Sequence, residues 1–285
     1  MTLPPFDLHR ASSLDEAHEL LERYGEDAAV VCGGTELLLL LKLGFASYSH
    51  LVDVKRIKEI GGISADNGEL VIGATTTHRE LERSPLVLER LPALAAMERD
   101  VANIRVRNVG TLGGNLCFSD PHSDPATFLL VLDAETDLDG GRIPLAQFLT
   151  GPYETALRHG QLLRSVRIPL PAAGTGIAHR KVSFHERPAA TVAAAIRAEN
   201  GRIVDARVAV GSVGPRAVSV TAAAEALRGK AVEDTEALTQ AGVLAAEQAG
   251  VVEDTNGSVE YKQQLVHVLV ERCVAAALEL AKESI

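Results

Sequence analysis

The sequence predicts an α+β protein in two parts, on three observations. Before residue 169, short apolar runs alternate with helix-like stretches, and glycine or proline stands at most junctions. Pro169 to Gly176, PLPAAGTG, has the composition of a linker. Beyond it, a strand with a period of two and a long helical face replace the earlier alternation. The expected division is 1–174 and 177–285.

In chain order, Ser12 or Ser13 can cap a helix through LDEAHELLERY, and Gly25 ends it. A strand at Ala28 to Cys32 breaks at Gly33-Gly34-Thr35, and ELLLLLKLG follows as a short buried helix. Strands are expected at Leu51 to Val54 and at Glu69 to Ile72. Hydroxyls in TTTHREL cap another helix, and Pro85 and Pro92 open two more. Val101 to Asp124 reads as a long loop, of a length that marks functional segments. A helix at Pro125 to Leu132 then leads to strands near Leu138, at Arg142 to Pro144, and at Leu162 to Ile168.

In the second part, AATVAAAIRA pairs through a Glu199-Asn200-Gly201 turn with RIVDARVAVG. In that strand Val204, Ala206, Val208 and Val210 alternate with Ile203, Asp205, Arg207 and Ala209. A last helix, Glu260 to Ala281, puts Val266, Leu269, Val270, Cys273, Ala277 and Leu280 on one face.

Composition excludes several functions. The 285 residues carry a formal charge of −10 with acids and bases mixed throughout, so no nucleic-acid footprint is expected. An apolar run such as Leu37 to Leu41 is far short of the roughly 20 residues a membrane span needs, and MTLPPFDLHR lacks signal-peptide character. A cytoplasmic protein without membrane insertion is the expectation. Cys32, Cys117 and Cys273 lie outside ligand spacing of one another, so no metal site is assigned and the three read as buried or half-buried thiols.

The chemistry concentrates in two glycine pairs. A diphosphate is bound most economically by main-chain N–H groups in a turn or at a helix start, where glycine permits close approach. VVCGGTELL offers this once, and RNVGTLGGNLCFSD again, with Thr111 and Asn115 flanking Gly113-Gly114. These residues alone indicate a diphosphate-sized anion, and a tight turn is the structural alternative for either copy. Neither is the G-x-G-x-x-G of a nicotinamide fold.

VVCGGTELL, GATTTHREL and RNVGTLGGNLCFSDPHSD, in this order and spacing, resemble the FAD-binding medium subunit of the molybdenum hydroxylases. KVSFHERPAATVAAAI, RVAVGSVGPRA and AAEALRGK extend the resemblance through the C-terminal part. The resemblance implies a two-lobed FAD-binding domain of the PCMH type, then a flavoprotein domain of the carbon monoxide dehydrogenase type. It implies electron transfer from the iron–sulfur clusters of a small 2Fe-2S subunit to NAD, a quinone or another acceptor. Substrate oxidation would belong to a large molybdenum-cofactor subunit, in a dimer of heterotrimers.

Carried over residue by residue, the resemblance gives FAD contacts at Val30, Val31, Cys32, Gly33, Gly34, Thr35, Glu36 and Leu37. It adds Val101 beside the flavin, then Thr111, Gly113, Gly114 and Asn115. Asp124 corresponds to an acidic position for the ribose or polar edge, Leu163 to a backbone contact, and Lys181 to a cation for the ring's N1–O2 edge. Tyr24-Gly25-Glu26-Asp27 lacks a basic residue that some relatives carry before the first turn.

No catalytic residue is expected on this chain, because a flavin relay needs no protein base. His78 reads as a packing or capping residue, and Asp120, His122 and Asp124 as Asx turns in place of a metal cluster. Arg105 and Arg107 could reach phosphate, pair with acids of a partner subunit, or face solvent. Tyr153 and Phe184 could shield the flavin, with core packing as the default, and Cys117 has no assigned chemistry. A self-sufficient FAD oxidase or dehydrogenase and a non-catalytic assembly protein are the alternative functions.

Overall fold

The computed structural model describes residues 2–184 and 187–283. His185 and Glu186, inside the KVSFHERPAA stretch, lie outside the described residues. The first lobe contains β1 (Asp7–Arg10), α1 (Leu14–Tyr24), β2 (Ala28–Val31), α2 (Leu37–Leu43) and β3 (His50–Asp53). Its three strands form a parallel sheet ordered β1-β3-β2. Ser13 starts α1 by accepting the Glu16 N–H at 3.2 Å, and Gly25 closes it at φ 53°. The helix buries Ala17 and Leu21 against a cluster that includes Val52, Val54 and Ile57.

The five consecutive leucines of α2 do not make a buried helix. Only Leu41 is buried, and Leu39 and Leu43 are nearly half exposed. An uninterrupted apolar run gives no periodicity from which the outward face could be read.

The second lobe begins with β4 (Ile63–Asp66), β5 (Glu69–Gly73), α3 (His78–Arg83), α4 (Pro85–Arg90) and α5 (Pro92–Arg99). It continues through α6 (Ile104–Arg107), α7 (Leu112–Phe118), α8 (Asp124–Leu130), β6 (Glu135–Leu138) and β7 (Gly141–Pro144). α9 (Leu145–Phe148), β8 (Leu149–Gly151), β9 (Glu154–Thr155) and β10 (Leu163–Pro169) complete it. An antiparallel sheet runs β4-β5-β10-β6-β7. Thr77 opens α3 with a reciprocal capping box to Glu80.

Two expectations change here. β4 is not among the strands the sequence predicts, although Asn67 and Gly68, both at positive φ, make the hairpin turn to β5. The long loop from Val101 to Asp124 instead holds α6 and α7, each started by a side-chain cap, Asn103 and Thr111.

The chain then crosses residues 170–174 into β11 (Thr175–Ser183), β12 (Pro188–Glu199), β13 (Arg202–Gly211) and β14 (Val218–Ser219). These pair antiparallel in sequence order. α10 (Thr221–Leu227), α11 (Thr235–Gln248) and α12 (Val259–Glu283) follow, and α12 packs on β11 and β12. Gly176 permits that approach, since a Cβ there would lie 1.9 Å from the Ala277 carbonyl oxygen.

A register shift in the β12–β13 pairing, where Arg197 faces Asp205 but Ala198 faces Ile203, turns Val204 outward and Ile203 inward. Ala209, expected on the polar face, is buried because α8 covers that side. On α12 the apolar stripe continues through Val274, Leu278 and Ala281, and Leu280 is exposed. One core cluster contains Phe128 and Leu129 together with Ala193, Ala195 and Ala209, so it spans the linker.

Candidate cofactor-binding site

The two lobes and the C-terminal sheet enclose a cavity of about 410 Å³, within the range of ligand sites. Val30 to Leu37 form one wall as β2 runs through the first glycine turn into α2. Val101, Thr111, Gly113, Gly114, Asn115 and Asp124 line it as well, and Leu163 enters at the head of β10. Of the residues expected to contact a cofactor, only Lys181 stands outside this lining.

The two turns differ in what they offer. At the first, the main-chain N–H groups of Gly34 and Thr35 have no acceptor among the described residues. They are available to an anion. Gly34 needs its φ of +71°, and a Cβ on Gly33 would fall 2.5 Å from the Val109 carbonyl oxygen and 2.7 Å from Gly110 Cα. The turn is thus pressed against the chain leading to α7.

The second pair is the opening of a helix. Gly113 N–H donates to the Ala74 carbonyl at 3.0 Å, and Gly114 N–H to Thr111 Oγ1 at 3.1 Å. These donors are already used. Gly113 is required because a Cβ would fall 2.6 Å from both the Cβ and the carbonyl oxygen of Ala74. What this wall presents is close main chain and the Asn115 amide, whose Oδ1 accepts from the Ser123 hydroxyl at 2.5 Å.

Asp124 is the most elaborately held group. Its Oδ2 accepts from Lys181 Nζ at 2.5 Å, its Oδ1 accepts from the Thr191 hydroxyl at 3.2 Å, and His179 Nε2 stands 3.6 Å from Oδ1. Burial works against its charge, but His179 and Lys181 outweigh it and keep the carboxyl below the ordinary aspartate range. Lys181 also donates to the Asp100 carbonyl at 2.7 Å. Its ammonium is therefore committed behind Asp124, not aimed into the cavity.

Other candidates resolve in different ways. His78 lines the cavity, and its Nδ1 pairs with buried Glu98 at 2.7 Å, a packing role. Arg107 binds Glu82 and the Val101 carbonyl, and Arg105 is exposed. His122 bonds Asp120 in an Asx turn, and no metal-binding cluster exists among the described residues. Tyr153 and Phe184 are both more than half exposed, so neither is a core residue. Tyr153 packs edge-on against Phe118 at 5.2 Å. Burial pushes the Cys32 thiol up and those of Cys117 and Cys273 up to about 12, which leaves them unreactive.

Sequence reasoning missed Tyr48, Ile60, Ala74, Asp120, Arg187 and Pro188 as lining residues. Ala74 follows a strand-ending glycine in the GATTTHREL motif and was within reach. Arg187 and Pro188 arrive from the far side of the linker and carry no local signal.

Comparison with known proteins decides the family. Residues 4–171 match the FAD binding domain in molybdopterin dehydrogenase, and residues 178–277 match the CO dehydrogenase flavoprotein C-terminal domain. This chain belongs to the FAD-binding medium subunits of the molybdenum hydroxylases. The carbon monoxide dehydrogenase medium chain of Hydrogenophaga pseudoflava is 34% identical, over 97% of this chain and 98% of its own. The 6-hydroxypseudooxynicotine dehydrogenase complex subunit alpha of Paenarthrobacter nicotinovorans is 32% identical, over 99% and 97%.

Among solved structures, the carbon monoxide dehydrogenase of H. pseudoflava lacking the Mo-pyranopterin moiety superposes with a TM-score of 0.94 at 36% identity, covering 98% of this chain and 99% of that one. Quinoline 2-oxidoreductase from Pseudomonas putida 86 gives 0.91 at 30%, covering 100% and 99%. As a molybdenum hydroxylase medium subunit, the chain is a flavoprotein whose cofactor is FAD. The glycine cradle and the open donors at Gly34 and Thr35 fit a diphosphate-bearing ligand. Among the described residues no helix is long and apolar enough to cross a membrane.

Proposed function

We propose that FAD lies in this cavity, between the turn at Val30 to Leu37 and the wall formed by Val101, Thr111, Gly113, Gly114 and Asn115, with Asp124 and Leu163 completing its contacts. The observation that supports this reading is convergence. Segments separated by up to about 130 residues meet around one cavity, two of them singled out by the glycine motifs and the others by the resemblance.

In this reading the Gly34 and Thr35 N–H groups face the diphosphate. Asp124, kept anionic by His179 and Lys181, accepts from a ribose hydroxyl. Lys181 thus acts on the cofactor through Asp124, and it would have to leave two partners to reach the ring. His78, itself at the cavity, pairs with buried Glu98 and holds α3 against α5.

The bound FAD supplies electron relay, from the iron–sulfur clusters of a small 2Fe-2S partner to NAD, a quinone or another acceptor. Substrate oxidation belongs to a large molybdenum-cofactor partner, and the three chains form a cytoplasmic dimer of heterotrimers. No residue of this chain breaks a substrate bond. The purified protein should show flavin absorbance, or acquire it with added FAD, and should bring down a large and a small chain from its native source. Absence of flavin binding would end the cofactor reading, and a persistent monomer in native extract the partner reading.

A further inference from the structure

Three carboxylates line the cavity, those of Glu36, Asp120 and Asp124. Lys181 neutralises Asp124 from behind. The other two share one cation: Arg187 Nη2 lies 3.0 Å from Asp120 Oδ2 and 3.5 Å from Glu36 Oε2. Among the described lining residues Arg187 is the sole Lys or Arg. A diphosphate brings further negative charge to a site whose two nearest carboxylates already lie within reach of the first turn, and like charges at such range repel.

We propose that Arg187 is the counter-ion of the cofactor's diphosphate, held near the first turn by Glu36 and Asp120 until the dinucleotide enters. This rests on the FAD reading above. Three features of the position favour it. Glu36 directly follows Thr35, whose N–H is open, so the guanidinium already stands beside the donors that would face the phosphates. Arg187 precedes Pro188, the first residue of β12, whose pairing with Ser183 fixes the main chain, while the Arg187 side chain is half exposed and can re-aim. A guanidinium also presents parallel donors that match phosphate oxygens, which an ammonium does not.

The competing explanation is that Arg187 serves only to neutralise Glu36 and Asp120. A mutant cycle on the full chain separates the two, with FAD affinity read by flavin fluorescence and ADP used as a displacing probe. Arg187→Gln should weaken both FAD and ADP at least tenfold and flatten the salt dependence of FAD binding. Arg187→Lys should fall between, keeping the charge and losing the fork. In a Glu36→Gln/Asp120→Asn background, whose own FAD affinity is the reference for this arm, adding Arg187→Gln should still cost at least tenfold.

If the triple variant instead binds FAD as tightly as the Glu36→Gln/Asp120→Asn double, Arg187 only neutralised the carboxylates and the proposal is overturned. Unchanged FAD and ADP binding by Arg187→Gln overturns it as well, while the cofactor reading stands. A wild-type chain that binds neither probe overturns the cofactor reading together with this inference. Near-ultraviolet circular dichroism of each variant confirms that affinity is being compared between folded proteins.

Discussion

Asp124 and Lys181 meet at 2.5 Å across the junction of the two halves of the chain, one at the start of α8 and the other on β11. The pair is largely buried, and the Thr191 hydroxyl satisfies the second carboxylate oxygen. It ties the end of the cavity to the C-terminal sheet.

Removing one partner should therefore be worse than removing both. Lys181→Met strips the buried carboxylate of its nearest cation, leaving His179 at 3.6 Å and the Thr191 hydroxyl, and should destabilise the chain by about 3 kcal/mol or more. Adding Asp124→Asn should return part of that loss. Urea unfolding of the two singles and the double gives the coupling, and strict additivity would contradict it.

The same pair sets a pH dependence. The folded pKa of Asp124 is lowered, so its stabilisation is complete above the unfolded value, about 3.9, and is lost as pH falls through the folded one. The stability gap between wild type and Asp124→Asn should be widest near pH 6 to 7 and shrink below about pH 4. Denaturation midpoints across that range test the sign, and a gap that widens in acid would refute it.

Two glycines give opposite expectations. Gly33→Ala drives a methyl into the Val109 carbonyl and Gly110, and should abolish or severely weaken FAD binding while costing about 2 kcal/mol or more. Gly44→Ala, at φ +76° with open space around its Cβ, should cost only about 1 kcal/mol and leave FAD affinity unchanged. Flavin titration together with thermal melts distinguishes them.

The thiols should be silent in the folded protein. Burial raises all three, Cys117 and Cys273 up to about 12, so iodoacetamide at pH 7.5 should label none before unfolding and all in urea. Rapid labelling of Cys32 or Cys117 in folded protein would mean that the cavity opens widely.

Much of this architecture was legible because its signals are local. Ser13, Thr77, Pro85 and Pro92 start the helices that their chemistry implies. Both glycine pairs do face one cavity. What local signals could not supply was the use of the N–H groups: those of Gly113 and Gly114 go to Ala74 and Thr111, a choice made by a tertiary contact. Val204 was misplaced for a similar reason, since a single-residue register shift reverses which side of a strand faces inward. Arg187 carries no nearby pattern, and only the docking of β12 onto α8 brings it to the cavity, whereas Lys181, named by the resemblance, ends on Asp124 outside the lining.

The press of Gly33 against Gly110 joins residues far apart in sequence, and Asp124 and Asp120 then wait for Lys181 and Arg187. This separation has a consequence in time. On a ribosome, the first turn emerges long before the strand that closes the compartment around it. Because Arg187 and Pro188 are the last lining residues to be made, tight flavin loading is expected to follow their synthesis, and a chain truncated at the linker should bind FAD more weakly than the full chain.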